Sequence, residues 1–79
     1  MFTVYILKST VTAKSYVGVT NDILRRINEH NAGKHAYTKI YRPWSIIHQE
    51  VFGDFATARA REKYLKSASG RKFLKKLFD

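Results

Sequence analysis

The chain has no cysteine among its 79 residues, so neither a disulfide nor a thiolate zinc site can reinforce it. It has no apolar run approaching the ~20 residues of a membrane span, and its N-terminus shows no basic segment leading into a long hydrophobic one. A soluble, cytoplasmic protein with no membrane partner is expected. Acidic residues are scarce: six Asp and Glu stand against fifteen Lys and Arg, a formal charge of +9. So large an excess on so short a chain, with a pI near 10.1, favours nucleic acid as a polyanionic partner over a merely solvated basic surface. What the chain does have is 44% apolar and 14% aromatic residues, enough for one small core. With no internal repeat, low-complexity tract or linker, residues 1–79 are expected to form a single domain of modest stability.

The stretch YVGVTNDILRRINEH, Tyr16 to His30, organises the rest. Ser15, Val17 and Val19 alternate with Tyr16, Gly18 and Thr20, which predicts a strand whose tyrosine points away from its valines. Asn21 suits an N-cap and Asp22 the positive end of a helix dipole, so the helix is expected to start at Asp22. At about 100° per residue, Ile23, Leu24, Ile27 and Asn31 share a face, Arg26 and His30 lie together on its border, and Arg25 points outward. A tyrosine at a strand end beside an Arg/His pair on the next helix is a candidate phosphate-handling site, because guanidinium offers phosphate a planar fork of donors.

Upstream, Phe2 to Lys8 is a β-rich run, apolar on both faces and therefore expected at the centre of a sheet. The link from Thr10 to Lys14 is short enough for a hairpin, although it lacks an Asn-Gly turn. A turn centred between Thr10 and Val11 would set Tyr5 opposite Tyr16 on one face. Taken as residues alone, these two tyrosines read as stacked core aromatics.

Downstream, Asn31-Ala32-Gly33 stops the first helix, and Lys34 to Arg42 reads as a basic, aromatic loop. Its Lys34, His35, Tyr37, Lys39, Tyr41 and Arg42 interleave phosphate-neutralising cations with rings on which bases can stack; Tyr37 and Tyr41 could equally cover the core. Pro43, the single proline, restricts Arg42 to an extended shape, and Trp44 reads as a core anchor.

Ser45 to Phe52 is a third strand, with Ile46, His48, Glu50 and Phe52 alternating against Ile47, Gln49 and Val51. Glu50 is a second candidate carboxylate, although it reads more readily as a polar residue at a sheet edge or as the partner of a nearby cation. Gly53-Asp54 turns the chain, and Asp54 caps a helix from Phe55 to about Ser67. Its Phe55, Ala58 and Leu65 face inward with Glu62 among them, where an ionised carboxylate is unfavourable unless paired or bound to metal. A surface pair with Lys66, four residues on, is the plain alternative and is worth only ~0.3–0.5 kcal/mol. As a hard oxygen ligand Glu62 suits Mg²⁺ or Mn²⁺, whereas His30, His35 and His48 have no zinc-like spacing. Ser69-Gly70 is expected to break this helix. A short last one, Arg71 to Phe78, carries an apolar stripe of Phe73, Leu74, Leu77 and Phe78 and a basic face including Arg71 and Lys72. With Lys66, that face could extend a phosphate-binding surface.

These segments, in this order, resemble a GIY-YIG nuclease domain, in particular the small stand-alone bacterial members described as excinuclease-C-like. Tyr16-Val17-Gly18 stands at the YIG motif and Thr3-Val4-Tyr5 at the GIY motif, with Thr3 where glycine is usual. Arg26, ten residues after Tyr16, matches the family arginine, and ATARAREKYLK resembles the family's metal-binding helix. The likeness covers nearly the whole chain, including the RPW tripeptide. It implies an α+β fold of order ββαβαα, a three-stranded antiparallel sheet flanked by about three helices. It also implies cleavage of DNA phosphodiester bonds with a single Mg²⁺ or Mn²⁺ ion. Tyr16 would act as or orient the general base with Tyr5 beside it, Arg26 would stabilise the scissile phosphate, His30 would position or transfer a proton, and Glu62 would hold the metal. Two rivals stand beside this reading: a binding module that kept the basic surface without cleaving, and an accessory domain of a repair complex.

Overall fold

Pairing on both edges buries the first strand. In a computed structural model that describes residues 1–78, with the side chain of Phe78 outside the described set, β1 (Phe2–Ser9) lies between β2 (Ser15–Thr20) and β3 (Trp44–Phe52), antiparallel to both. Val4, Tyr5, Ile6 and Leu7 are all buried, and each aliphatic among them gains ~1.5–3 kcal/mol on leaving water. Alternation sends Val4 and Ile6 to one face, with Val17, Ala58 and Leu65, and Tyr5 and Leu7 to the other, with Trp44. Helices α1 (Ile23–Ala32) and α2 (Ala36–Ile40) attend the tyrosine face. Helices α3 (Phe55–Lys66) and α4 (Ala68–Phe78) cover the aliphatic one, the latter through Phe73 and Leu74. The α+β class and the three-stranded antiparallel sheet are those read from the sequence.

Several details differ. The hairpin register sets Tyr5 opposite Gly18 and Tyr16 opposite Leu7, so the two tyrosines share a face without being direct partners. The cause is Ser9, whose Oγ accepts the N–H groups of Val11 and Thr12, both at 3.1 Å, and moves the turn toward Lys14. Asp22, not Asn21, caps α1 by accepting from the Arg25 N–H, and Leu24 is 71% exposed rather than on the inward face. The basic loop contains the additional short helix α2. A bulge at Ile47 interrupts β3, pairing Ile6 with His48 but Leu7 with Ile46, so Ile46 joins the tyrosine face and Ile47 the aliphatic one. The break between the last helices falls at Ser67, and Gly70 lies inside α4, where its missing side chain lets the helix rest on the backbone of Leu65. Phe55 is half exposed, its ring edge-on to Phe2.

Candidate active site

Gly18 explains how two tyrosines fit side by side on the sheet. A Cβ there would lie 2.5 Å from the Tyr5 hydroxyl and 3.0 Å from the Tyr16 ring, so only glycine lets the Tyr5 ring cross β2. The rings sit 6.2 Å apart. Tyr5 is buried, whereas Tyr16 is partly exposed and forms part of the wall of a groove.

Behind Tyr5 runs a buried polar chain. His30, fully buried, bonds the Tyr5 hydroxyl through Nε2 at 3.1 Å and Thr38 Oγ1 through Nδ1 at 2.9 Å. Thr38 donates its hydroxyl to the His35 carbonyl, so its oxygen accepts from His30 Nδ1–H, and His30 Nε2 accepts from Tyr5. The Thr38 carbonyl takes the Trp44 indole N–H at 2.8 Å, and Asn31 holds the Trp44 backbone on both its N–H and its carbonyl. Burial, then the neighbouring His35 and Arg26 charges, push His30 down to about 4, so it is neutral at pH 7. Burial and the neighbouring Tyr16 push the Tyr5 hydroxyl well above its ordinary value, so it keeps its proton. Thr38 gave no signal in the sequence, because its partner lies eight residues back across a helix end.

The charged members converge on the same tyrosine. Arg26 draws the Tyr5 proton affinity down while Glu62 and Glu29 raise it, which places all three in its electrostatic surroundings. Arg26 Nε is buried without a hydrogen-bond partner, 3.8 Å from Glu29. Glu62 is only 9% exposed at its side chain, with Oε1 taken by Arg59 at 2.5 Å and Oε2 by Lys66 at 3.1 Å. No cluster of three ligating side chains exists among the described residues. One carboxylate fits a hard divalent ion that keeps waters and takes phosphate as a ligand; it does not fit zinc. Glu50, by contrast, is the cation partner expected, held by Arg61 in a two-pronged pair and by His48 at 2.8 Å. Those bonds, that to Arg61 first, hold its carboxyl below the usual range.

A groove of about 550 Å³ follows the outer edge of β2, lined by Tyr16, Tyr37, Lys66, Arg71, Leu74 and Lys75. Of the residues predicted to contact nucleic acid, Tyr37, Lys66 and Arg71 meet here. The others disperse: Lys34 borders a second cavity with Arg25 and Asn28, Lys39 and Arg42 lie over Gly33, and His35 packs at a tilt against His30. Tyr41 packs toward Trp44 and Tyr5, and Lys72 is exposed on α4 outside the groove lining. Arg59 was overlooked in the sequence, although its spacing of three before Glu62 was a readable sign.

A tyrosine pair crossing at a strand glycine, an arginine on the first helix and an inward acid on the third define a GIY-YIG catalytic domain. The chain belongs to that family, whose model, described as the GIY-YIG catalytic domain, matches residues 1–76. More particularly it is similar to UPF0213 proteins. That of Staphylococcus saprophyticus is 41% identical over 73 residues, covering 91% of this chain and 88% of the relative. That of Haloquadratum walsbyi is 41% identical over 58 residues, covering 72% and 65%. The UPF0213 protein of Bacillus halodurans, solved by NMR in solution, superposes with a TM-score of 0.57 at 32% identity over 98% of this chain and 85% of its own. No helix among the described residues is long and apolar enough to cross a membrane.

Proposed function

We propose that this chain is a single-domain, cytoplasmic endonuclease that hydrolyses DNA phosphodiester bonds with Mg²⁺ or Mn²⁺ and serves repair or recombination. The observation that carries the reading is Glu62: in a chain of formal charge +9, an acid is turned inward and shares the surroundings of Tyr5 with Arg26. A binding module needs cations and rings, not a buried carboxylate.

The phosphate enters the groove beside Tyr16, and the guanidinium of Arg26, in the electrostatic surroundings of the tyrosine pair, supplies charge to the oxygens on which negative charge grows. Tyr16, the more accessible tyrosine, accepts the proton of the attacking water or orients that water. Tyr5, with its proton committed to His30, is the fixed ring beside which Tyr16 lies, 6.2 Å away between centroids. His30 acts by position: fully buried and difficult to protonate, it fixes Tyr5 through the bond that Thr38 anchors. Glu62 would hold the divalent ion, which when bound would supply Lewis-acid stabilisation of charge on the phosphate and the leaving oxygen. Tyr37, Lys66 and Arg71 in the groove bind the DNA backbone largely by charge, and Lys34, His35, Lys39, Tyr41, Arg42 and Lys72, dispersed outside it, are second-rank contacts.

The pairing of Glu62 with Arg59 and Lys66 favours a second reading, a binding-only module in which this acid is structural. Glu62→Gln separates the two. The amide keeps size and polarity, so the thermal midpoint and metal-free DNA binding should persist. Metal-dependent nicking of duplex or branched DNA should fall by about a hundredfold or more. Full activity in that variant would remove Glu62 from the mechanism.

A further inference from the structure

The two carboxylates with cationic partners differ in how firmly those partners are held. At Glu50 the Arg61 guanidinium makes two bonds and is stacked over Tyr64 and Phe73, 5.2 and 5.4 Å from the ring centroids, so it has a packed seat. At Glu62 the partners are two side chains that are themselves about half exposed, Arg59 at 48% and Lys66 at 50%. Neither makes a second ion pair with an acid among the described residues. Each carboxylate oxygen of Glu62 therefore carries one cation that solvent can reach and that little else retains.

This arrangement opposes the entry of a divalent ion. Glu62 with Arg59 and Lys66 sums to one net positive charge, and both oxygens are engaged. A hard cation must displace an ammonium or guanidinium and then sit beside it. The same lysine also lines the groove beside Arg71 and Lys75, where a polyanion would offer it phosphate oxygens in exchange. Once Lys66 moves to phosphate, the repulsion falls and one carboxylate oxygen is released.

We propose that Arg59 and Lys66 form an interlock that makes metal binding at Glu62 conditional on a polyanion in the groove. The proposal rests on Glu62 being the metal ligand. The free protein would then be metal-poor, and nucleic acid would both deliver phosphate and clear the site. Because coupling between two ligands is reciprocal, metal would tighten nucleic-acid binding by the same factor.

The test reads binding rather than turnover. Mn²⁺ is titrated by electron paramagnetic resonance into the free parent and into the parent with a short phosphorothioate duplex, which keeps the backbone charge and resists hydrolysis. Glu62→Gln in both states subtracts metal held elsewhere or by the duplex itself. Glu62-dependent affinity should rise about tenfold or more on adding duplex, and Mn²⁺ should tighten duplex binding equally in the parent but not in Glu62→Gln. In the free protein Lys66→Met and Arg59→Met should each tighten Mn²⁺ and shrink the gain from duplex, with thermal midpoints reporting that both are folded. Equal Mn²⁺ affinity in the free and duplex-bound parent, or no change in Lys66→Met, overturns the interlock. If Mn²⁺ is still required for cleavage, the nuclease reading survives that result. Absence of Glu62-dependent Mn²⁺ in every state overturns both.

Discussion

The two faces of one short sheet are built by opposite rules. Val4 and Ile6 point into an aliphatic cluster with Val17, Ala58 and Leu65, while their neighbours Tyr5 and Leu7 point to a face that buries a histidine, a threonine and an indole in one hydrogen-bonded chain. The aliphatic face gains its stability mainly from buried area and best tolerates changes that conserve volume. The polar face is stable only if every member keeps its partner, because each buried donor or acceptor left alone costs about 1–3 kcal/mol. A strand of alternating residues thus separates the part of the molecule that holds it together from the part that fixes a hydroxyl in place.

Variants on either side probe that division. Ile6→Ala, on the aliphatic face, should cost about 2–5 kcal/mol by chemical denaturation, with cleavage per folded molecule unchanged. The polar face should fail in acid instead. His30 is held near pKa 4 when folded against an ordinary 6.5, so between those values the unfolded chain binds the extra proton. Stability is then complete above about pH 6.5 and falls by on the order of 3 kcal/mol as pH drops toward 4, a slope that His30→Gln should flatten. Tyr5→Phe leaves His30 Nε2 without its donor and should cost about 1–3 kcal/mol at neutral pH, measured by the urea midpoint. Tyr16→Phe should change stability least, by under ~0.5 kcal/mol, yet reduce metal-dependent cleavage by about 10²–10⁴-fold. Parent-level cleavage in that last variant would make Tyr16 a packing residue and remove its hydroxyl from the proton transfer.

Much of this was readable from the residues. The period of two placed Val17 against Tyr16, and the inward stripe of α3 placed Glu62 beside Ala58 and Leu65, because periodicity reports burial directly. What escaped were choices made by single hydrogen bonds. Asn21 and Asp22 are both competent caps, and Thr20 decides between them by accepting the Asp22 N–H at 3.0 Å. The hairpin register was hidden in one serine hydroxyl, and the β3 alternation failed at a bulge that no residue type announces. Helix α2 is too short for a period to show. At the candidate site, the residues carried by the motif lie around Tyr5, but the support behind them, Thr38 and Asn31, depends on contacts across a helix end and a strand start.

The central place of β1 has a consequence in time. Its β2 partner follows almost at once, but β3 ends at Phe52, 32 residues after Thr20 closes the hairpin. At about 5–20 residues per second of synthesis that interval lasts roughly 2–6 s, during which the most apolar strand has one edge open. Until Trp44 to Phe52 emerges, a nascent hairpin presents Val4 to Leu7 to any strand it meets, so pairing with a neighbouring nascent chain competes with pairing to its own β3. The turn at Ser9 lessens that exposure only late, when its hydroxyl reaches the Tyr41 carbonyl and ties the hairpin to the segment that delivers β3.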